Sequence, residues 1–327
     1  MGVDGFRLDA VKYLIEDGST QQNTDATHAW LAQYFTYYKS LNPNAMTVGE
    51  LSGDDAGVIA SYVKNKQLDL AFDFGLASAF VSSAKKGTTL DTTGQIQLSY
   101  HLIPPLQFGT FLTNHDQDRL MNQLGNDANK VKVAAALLLT SPGVPFIYYG
   151  EEVGLEGAGS DPLKRAPMQW DATSNAGFST VFPWEPLGSG YQFNNVATET
   201  ADPNSILSQY KTLIHLRNEH AALRVGSMNL VYSNNSGLLA DLRISKDEAV
   251  LVLINLTNLP ISDYKLQLTK SSLAAGTYLP LSLLGSGPFT SLTVAANGGF
   301  SGYIPIKEVP AYGTVVMQLH LTAGAKN

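Results

Sequence analysis

The sequence of 327 residues contains no cysteine, which excludes disulfide bonds and thiolate metal sites and leaves the cellular compartment open. It has no apolar run of about 18 residues and no basic start followed by an apolar stretch, so we expect neither a membrane span nor a signal peptide. The net charge of -7 comes from scattered acids and bases, without the basic face that binds nucleic acid. Membranes and nucleic acids are therefore not expected as partners.

The composition is that of a folded protein. Hydrophobic residues make up 44% of the chain and charged residues 15%, so a chain of this length can bury a substantial core and is predicted to hold two domains. The histidines have no metal-ligand spacing, and we predict no metal site from them. The six histidines are His28, His101, His115, His215, His220 and His320.

Strand and helix patterns alternate through the first half of the chain, as a parallel β/α barrel requires. Hydrophobic periodicity predicts helices over 25–41, 56–65, 130–140 and 205–219. It predicts a first strand around residue 7 and further strands over 45–50, 68–72, 110–113 and 146–149. The segment 151–202 is too long for a simple connection, and long ordered loops are usually functional.

From about Met228 the pattern changes to short apolar strands, such as 249–254 and 313–319, separated by Gly, Pro, Asn and Ser turns. This pattern is typical of an all-β sandwich. We therefore predict two domains, a β/α domain over 1–225 and a β-sandwich domain over 226–327.

Arg7 and Asp9 lie two residues apart in an apolar stretch that is predicted to be a strand, so their side chains share one face near its end. A carboxylate in a packed layer is costly unless a cation keeps it ionised, and Arg7 is in position to do so. The pair therefore indicates an anionic nucleophile. An isolated Arg-x-Asp pair is also a common structural ion pair.

Two other apolar runs end in polar side chains where a strand should stop. The first ends at Glu50 and the second at Asn114, His115 and Asp116. Taken singly, Glu50 would serve as a helix cap, and residues 114–116 would form a turn, where Asn and Asp are common.

Together and in this order, the three segments resemble the conserved regions of the alpha-amylase family of glycoside hydrolases. The resemblance implies that Asp9 is the catalytic nucleophile, Glu50 the general acid/base, and Asp116 the carboxylate that holds sugar hydroxyls and stabilises the transition state. Arg7 and His115 would assist.

The resemblance extends to two further residues of the same motifs. Lys12 matches a lysine that many amylases use at a leaving-group subsite, and Asn114 precedes His115 as the family expects. Both are predicted to contact substrate.

The resemblance also implies the architecture. The fold is expected to be of the (β/α)8 barrel type, incomplete at the N-terminus because only about the last five strands of the family's barrel match, followed by the family's C-terminal β domain. An open half-barrel would expose strand edges and apolar surface. We therefore expect a homo-oligomer, a separate chain that supplies the missing N-terminal half, or a sequence that is an engineered or incomplete fragment of a longer protein.

The chemistry implied is retaining hydrolysis of alpha-linked glucans. A nucleophile and an acid/base carboxyl about 5 Å apart form and then hydrolyse a covalent glycosyl-enzyme intermediate. Asp9 must therefore be ionised and Glu50 must begin protonated. The expected partner is an alpha-glucan or maltooligosaccharide, and the resemblance favours an extracellular location. Calcium sites that many members build with an inserted segment cannot be carried over, and chloride binding is unsupported.

Several alternatives remain open. Lys12 favours an endo-acting alpha-amylase, whereas the segments 165–171 and 175–179 also look like exo-acting alpha-glucosidases, oligo-1,6-glucosidases or trehalose-forming relatives. A different class of function is a glycan-binding protein without turnover, and the simplest alternative is a fragment that does not fold. The intact set of three carboxylates argues against a pure binding role.

Overall fold

The computed structural model describes residues 2–322. The chain divides into two compact units. The first comprises the residues up to Ala79 together with Gly94–Phe111 and Gly143–Phe146, and the second comprises Phe80–Thr93, Leu112–Pro142 and the chain from Ile147 onward. The predicted domain boundary at residue 225 stays a prediction.

The first unit is built on a parallel sheet whose strands follow one another in chain order. Its strands are β1 (Gly5–Leu8), β2 (Met46–Gly49), β3 (Leu70–Phe72), β4 (Phe108–Thr110) and β5 (Val144–Pro145). Parallel neighbours need a crossover between them, and helices occupy these crossovers. This order is that of consecutive strands in a β/α barrel, so the predicted fold class is confirmed for this part of the chain.

The helices begin where the sequence supplies a capping side chain. Thr24 and Asp55 accept hydrogen bonds from backbone amides of the first helical turn, as do Asp127 and Ser205. No helix within residues 2–322 is both long and apolar enough to cross a membrane. The helices are α1 (Asp25–Leu41), α2 (Ala56–Lys64), α3 (Phe74–Lys86), α4 (Leu90–Leu102), α5 (Leu120–Gln123), α6 (Ala128–Thr140), α7 (Asp161–Lys164), α8 (Val196–Ala201), α9 (Ile206–Glu219) and α10 (Ala221–Val225).

Two strands lie earlier in the chain than predicted. The strand expected over 110–113 is β4, which ends at Thr110, and the strand expected over 146–149 is β5. The backbone turns at Gly143 instead, with φ of 99°, and a Cβ there would lie 2.7 Å from the Phe108 ring. Pairing with β4 therefore begins at Val144, directly after Gly143. Pro145 cannot donate a backbone hydrogen bond, but it is tolerated because β5 ends this sheet within the described residues.

The second unit contains an antiparallel sheet around one hydrophobic core. The order of its strands is β11-β10-β13-β8-β7-β6-β9-β12. The backbone amide of Thr290 donates to the carbonyl of Pro305 at 2.9 Å, which ties the two ends of the sheet together as in a sandwich. The strands are β6 (Ser227–Ser233), β7 (Leu238–Ile244), β8 (Ala249–Asn255), β9 (Leu266–Leu268), β10 (Gly276–Leu284), β11 (Leu292–Val294), β12 (Phe300–Tyr303) and β13 (Thr314–Leu321).

Two buried arginines join this sheet to the helices of the same unit. Arg243 on β7 donates to the carbonyl of Thr140 at 2.6 Å, and Arg217 on α9 donates to the carbonyls of Leu139 and Ser141 at 2.9 and 2.8 Å. The last carbonyls of a helix lack partners within the helix and attract cations. The C-terminus of α6 is therefore held by the two arginines, neither of which the sequence analysis singled out.

Candidate active site

One guanidinium joins the two carboxyl groups that follow β1 and β2. Nη1 of Arg7 donates to Oδ1 of Asp9, and Nη2 donates to Oε2 of Glu50 at 2.8 Å. The backbone N–H of Ala10 also donates to Oε2 of Glu50, at 3.1 Å. The structure thus brings Arg7, Asp9 and Glu50 together, as predicted, at the carboxyl ends of neighbouring parallel strands, where barrel enzymes assemble their sites.

Local backbone geometry fixes this arrangement. β1 ends because Ala10 takes the left-handed conformation, with φ of 43°. The amide of Glu50 still donates to the carbonyl of Leu8 at 3.0 Å, so the strand pairing continues to the site. Gly49 leaves room beside it, because a Cβ there would lie 2.4 Å from a terminal methyl of Leu68 and would displace that side chain.

The surroundings of Asp9 differ from the packed layer that the sequence suggested. The Asp9 side chain is 76% exposed and that of Arg7 is 34% exposed, whereas Glu50 is 14% exposed. The strand ends at Leu8, so Asp9 lies in the following turn and not within the sheet. Phe6, on the opposite face of the strand, is also 49% exposed. The expectation of a carboxylate in a packed layer is wrong for Asp9.

Lys12 has a protein partner. Its ammonium lies 2.9 Å from a carboxylate oxygen of Asp54 and donates to the carbonyl of Ser52 at 2.6 Å, and its side chain is only 7% exposed. The predicted contact of Lys12 with substrate stays a prediction. In this structure the ammonium holds the loop that follows Glu50.

The other predicted site residues lie in the second unit, where they form a cluster of their own. Asn114 accepts the backbone N–H of Asp116 at 3.0 Å, and Nε2 of His115 lies 3.3 Å from Oδ2 of Asp116. Arg165 holds both neighbours, since Nη2 donates to Oδ1 of Asp116 at 2.9 Å and Nε donates to the carbonyl of His115 at 3.1 Å. Lys164 adds a bond to the carbonyl of Asp116 at 3.1 Å.

Lys164 and Arg165 are site residues that the sequence analysis missed. Arg165 begins the segment 165–171, which was set apart only as a resemblance to exo-acting members. The segment was therefore noticed, but Arg165 lies 49 positions from Asp116, and no local sequence pattern indicates that the two side chains bind each other.

Beneath this cluster lies a fully buried arginine. Arg119 donates through Nη1 to the carbonyl of Tyr149, and its guanidinium carbon lies 4.0 Å from the ring centre of Tyr148 and 4.4 Å from that of Tyr149. The two rings replace water as neighbours of the cation. Burial lowers the pKa of Arg119 from its usual value, and the two tyrosines and Glu151 oppose that shift.

Glu151 is the most perturbed acid near this group. Burial raises its pKa to about 8, although hydrogen bonds from the Tyr210 hydroxyl at 2.9 Å and the Thr113 hydroxyl at 3.4 Å oppose the shift. Burial raises the pKa of the adjacent Glu152 as well. Glu151 is therefore mostly protonated at neutral pH, and Thr113, which it contacts, directly precedes Asn114.

The described residues contain no group of three or more His, Cys, Asp or Glu side chains arranged to hold a metal ion.

Comparisons with known proteins identify the family of the chain. The model of the alpha-amylase catalytic domain matches residues 1–226. Alpha-amylase 3 of Dictyoglomus thermophilum is 33% identical over 265 residues, covering 79% of this chain and 51% of that protein. The trehalose synthase/amylase of Mycolicibacterium smegmatis is 27% identical over 375 residues, covering 98% of this chain and 61% of that protein.

A solved structure shows the same fold. The crystal structure of the alpha-amylase from H. orenii matches with a TM-score of 0.78 and 31% identity, covering 98% of this chain and 61% of that one. The chain thus spans about half to three fifths of the length of these relatives. The family model covers most of the chain. The chain belongs to the alpha-amylase family of glycoside hydrolases.

Proposed function

We propose that the protein hydrolyses alpha-glucosidic linkages, chiefly alpha-1,4 linkages in starch, glycogen or maltooligosaccharides, with retention of configuration, as an alpha-amylase. The observation that carries the proposal is the binding of Asp9 and Glu50 to one guanidinium. A shared Arg7 keeps the two carboxyl groups close, as a retaining pair requires.

In this mechanism Asp9 attacks the anomeric carbon while Glu50 protonates the departing glycosidic oxygen. The glycosidic C–O bond breaks, and an ester forms between the sugar and Asp9. Glu50, now ionised, removes a proton from water, which attacks the same carbon and releases Asp9. Two inversions give net retention, and Glu50 recovers its proton.

The contacts of Glu50 indicate which of its oxygens carries the proton. Both donors that contact it within residues 2–322, Arg7 and the amide of Ala10, lie on Oε2. These contacts suit an unprotonated oxygen, so we assign the transferable proton to Oε1. Asp9 is exposed enough to meet a ligand, and Arg7 stabilises its charge.

For Asp116 we propose the binding of sugar hydroxyls, with His115 and Asn114 beside it, as the family resemblance implies. Hydrogen bonds that strengthen as the sugar ring flattens stabilise the transition state selectively. The contact with Arg165 supports this role, because a carboxylate already held by a planar guanidinium is oriented before substrate arrives.

We further propose that β1 pairs with another strand, either in a second copy or in the N-terminal half that completes the barrel. β1 ends the parallel sheet within the described residues, and Val3, Phe6 and Met46 are exposed beside it. An exposed apolar strand edge favours such pairing. Size-exclusion chromatography with light scattering tests this, and a monomer that hydrolyses substrate would contradict it.

A second candidate is exo-acting or trehalose-forming activity, supported by the match to the trehalose synthase/amylase and by the segment that begins at Arg165. The products formed from maltooligosaccharides discriminate these activities. Endo-action gives mixed short products and exo-action gives glucose alone, whereas a trehalose-forming relative converts maltose.

The test of the main proposal compares the wild type with Asp9→Asn and Glu50→Gln in hydrolysis of a maltooligosaccharide. Turnover in the wild type alone is the expected result. Equal turnover in all three would refute the assignment. Maltooligosaccharide binding by a folded wild type without turnover would favour the glycan-binding alternative.

A further inference from the structure

Two tyrosine hydroxyls connect the buried Arg119 to the residues that hold Asp116. The Tyr148 hydroxyl donates to the carbonyl of Lys164 at 3.2 Å, and the Tyr149 hydroxyl donates to the carbonyl of Ala166 at 2.8 Å. These two carbonyls flank Arg165. The backbone on either side of the guanidinium that binds Asp116 is therefore fixed by neighbouring tyrosines.

The same two rings enclose Arg119, which sets their orientation. The ring planes lie at 71° to each other with centres 4.9 Å apart, and the guanidinium carbon lies within 4.4 Å of both centres. A planar cation in contact with both rings fixes their relative positions, which a flexible ammonium would not do. Arg119 also fixes the chain nearby, since its amide donates to the carbonyl of Gly157 at 2.8 Å.

We propose that Arg119, Tyr148 and Tyr149 are positioning residues for Asp116. The guanidinium of Arg119 sets the two rings, the ring hydroxyls hold the backbone on both sides of Arg165, and Arg165 holds the carboxylate. The part of the inference that concerns catalysis rests on the proposed function, in which Asp116 stabilises the transition state. The positioning itself is independent of that function.

The burial of Arg119 supports this interpretation over a simple structural ion pair. The residue is fully buried, yet its Nε and Nη2 have no hydrogen-bond partner within residues 2–322. Burying a charge is costly, and a cation without a direct carboxylate contact adds little to stability. A precise arrangement of the neighbouring loop explains the use of arginine at this position.

The test removes only the hydroxyls, with Tyr148→Phe, Tyr149→Phe and the double variant. The rings and their contact with Arg119 remain. Tyr278→Phe is a control for the loss of such a bond, because Tyr278 also donates its hydroxyl to one backbone carbonyl, that of Ala274 at 3.0 Å. The control should lower the unfolding midpoint at least as much as either single variant, because Tyr278 is buried whereas Tyr149 is 40% exposed.

We expect the double variant to lower kcat about tenfold with little change in KM, because displacement of a transition-state contact by a fraction of an ångström affects the chemical step more than binding. Tyr278→Phe should leave kcat unchanged. A double variant with the kcat of the wild type, or a Tyr278→Phe variant with the same loss, would overturn the catalytic part of the proposal.

Amide hydrogen exchange, measured by mass spectrometry, provides a readout that does not need turnover. Exchange over 114–118 and 163–167 should be faster in the double variant than in the wild type and Tyr278→Phe. Unchanged exchange would refute the positioning itself.

Two further variants distinguish the catalytic role of Asp116 from its positioning by Arg119 and the two tyrosines. Asp116→Asn with full turnover would refute the proposed role of Asp116, and the exchange measurement would still decide the positioning. Arg119→Lys should reproduce the faster exchange of the double variant, and slow exchange in a folded Arg119→Lys would contradict the part assigned to the guanidinium. If that variant does not fold, the tyrosine variants carry the test.

Discussion

Arg7 in the first unit and Arg119 in the second show two different uses of the same side chain. Arg7 is partly exposed and binds two carboxylates, whereas Arg119 is fully buried, contacts two aromatic rings and donates to a backbone carbonyl. A partly exposed guanidinium can keep the Asp9 carboxylate ionised and available to a ligand at little cost. Burying a guanidinium is costly, and in Arg119 the buried cation fixes the relative positions of the groups around it. Arg7 therefore stabilises the charge of its carboxyl partners, whereas Arg119 is proposed to set the positions of Tyr148 and Tyr149.

The strongest test of the contrast removes the carboxylates that Arg7 binds. Glu50→Gln should lower turnover on the order of 10²- to 10⁴-fold, the usual contribution of general acid/base catalysis, and Asp9→Asn at least as much. Steady-state hydrolysis of a maltooligosaccharide measures both. Asp247→Asn, in the turn between β7 and β8, is the control and should retain activity. If Asp247→Asn also lost activity, the losses in Asp9→Asn and Glu50→Gln would not be specific to the candidate site.

A smaller effect is expected when Arg7 is changed to Lys. A single ammonium cannot reproduce the two-pronged contact with Asp9 and Glu50, so turnover should fall, by roughly 10- to 100-fold. Exposed ion pairs contribute little to folding, so the free energy of unfolding should change by less than about 1 kcal/mol. Kinetics together with denaturant unfolding measure the two effects. A large loss of stability would show that Arg7 is structural.

Glu151 provides a test of the buried region through pH. Its pKa is raised from 4.5 to about 8, so the folded state holds the proton more tightly than the unfolded state. Its contribution to stability is therefore fully present below pH 4.5 and is lost as the pH rises to about 8. Glu151→Gln should reduce the loss of stability between pH 5 and pH 9, by an amount on the order of 4 kcal/mol.

Urea unfolding at several pH values measures this change, with the exposed Glu308→Gln as a control that should follow the wild type. Equal pH dependence in the wild type and Glu151→Gln would contradict a protonated Glu151.

A buried acid in the β domain gives a weaker effect over a lower pH range. Burial raises the pKa of Asp241 from 3.8 to about 7, with Arg243 opposing the shift. The associated stability is present below pH 3.8 and is lost by about pH 7. Asp241→Asn should therefore flatten the curve below pH 7 but not between pH 7 and pH 9. The same unfolding series decides this, and flattening only above pH 7 would be inconsistent with it.

Much of the fold could be predicted from local sequence. Helix α1 begins and ends at the predicted residues, because Thr24 caps it and Asn42-Pro43 follows it. The strand predicted over 146–149 lies too late in the chain, because the pairing with β4 already includes Val144. Propensity identifies an element more reliably than its ends.

For the candidate site, the sequence indicated the residues but not their surroundings. Asp9, Glu50 and Asp116 follow strands in recognisable motifs, and Arg7 binds Asp9 two residues away, so the sequence alone indicated these groups. The sequence did not indicate the exposure of Asp9, the pairing of Lys12 with Asp54 or the protonated state of Glu151. These properties depend on burial and on neighbours from other segments.

By itself, the sequence determined the family and the alternation of strands and helices, and it indicated the candidate reactive groups, because motifs, caps and hydrophobic periods are local. Only the tertiary structure decided that Arg165 binds Asp116, 49 residues away, and that Arg119 contacts Tyr149, 30 residues away. Such contacts depend on the path of the loops between the partners. Local residue chemistry leaves that path open, and the packing of the folded unit selects it.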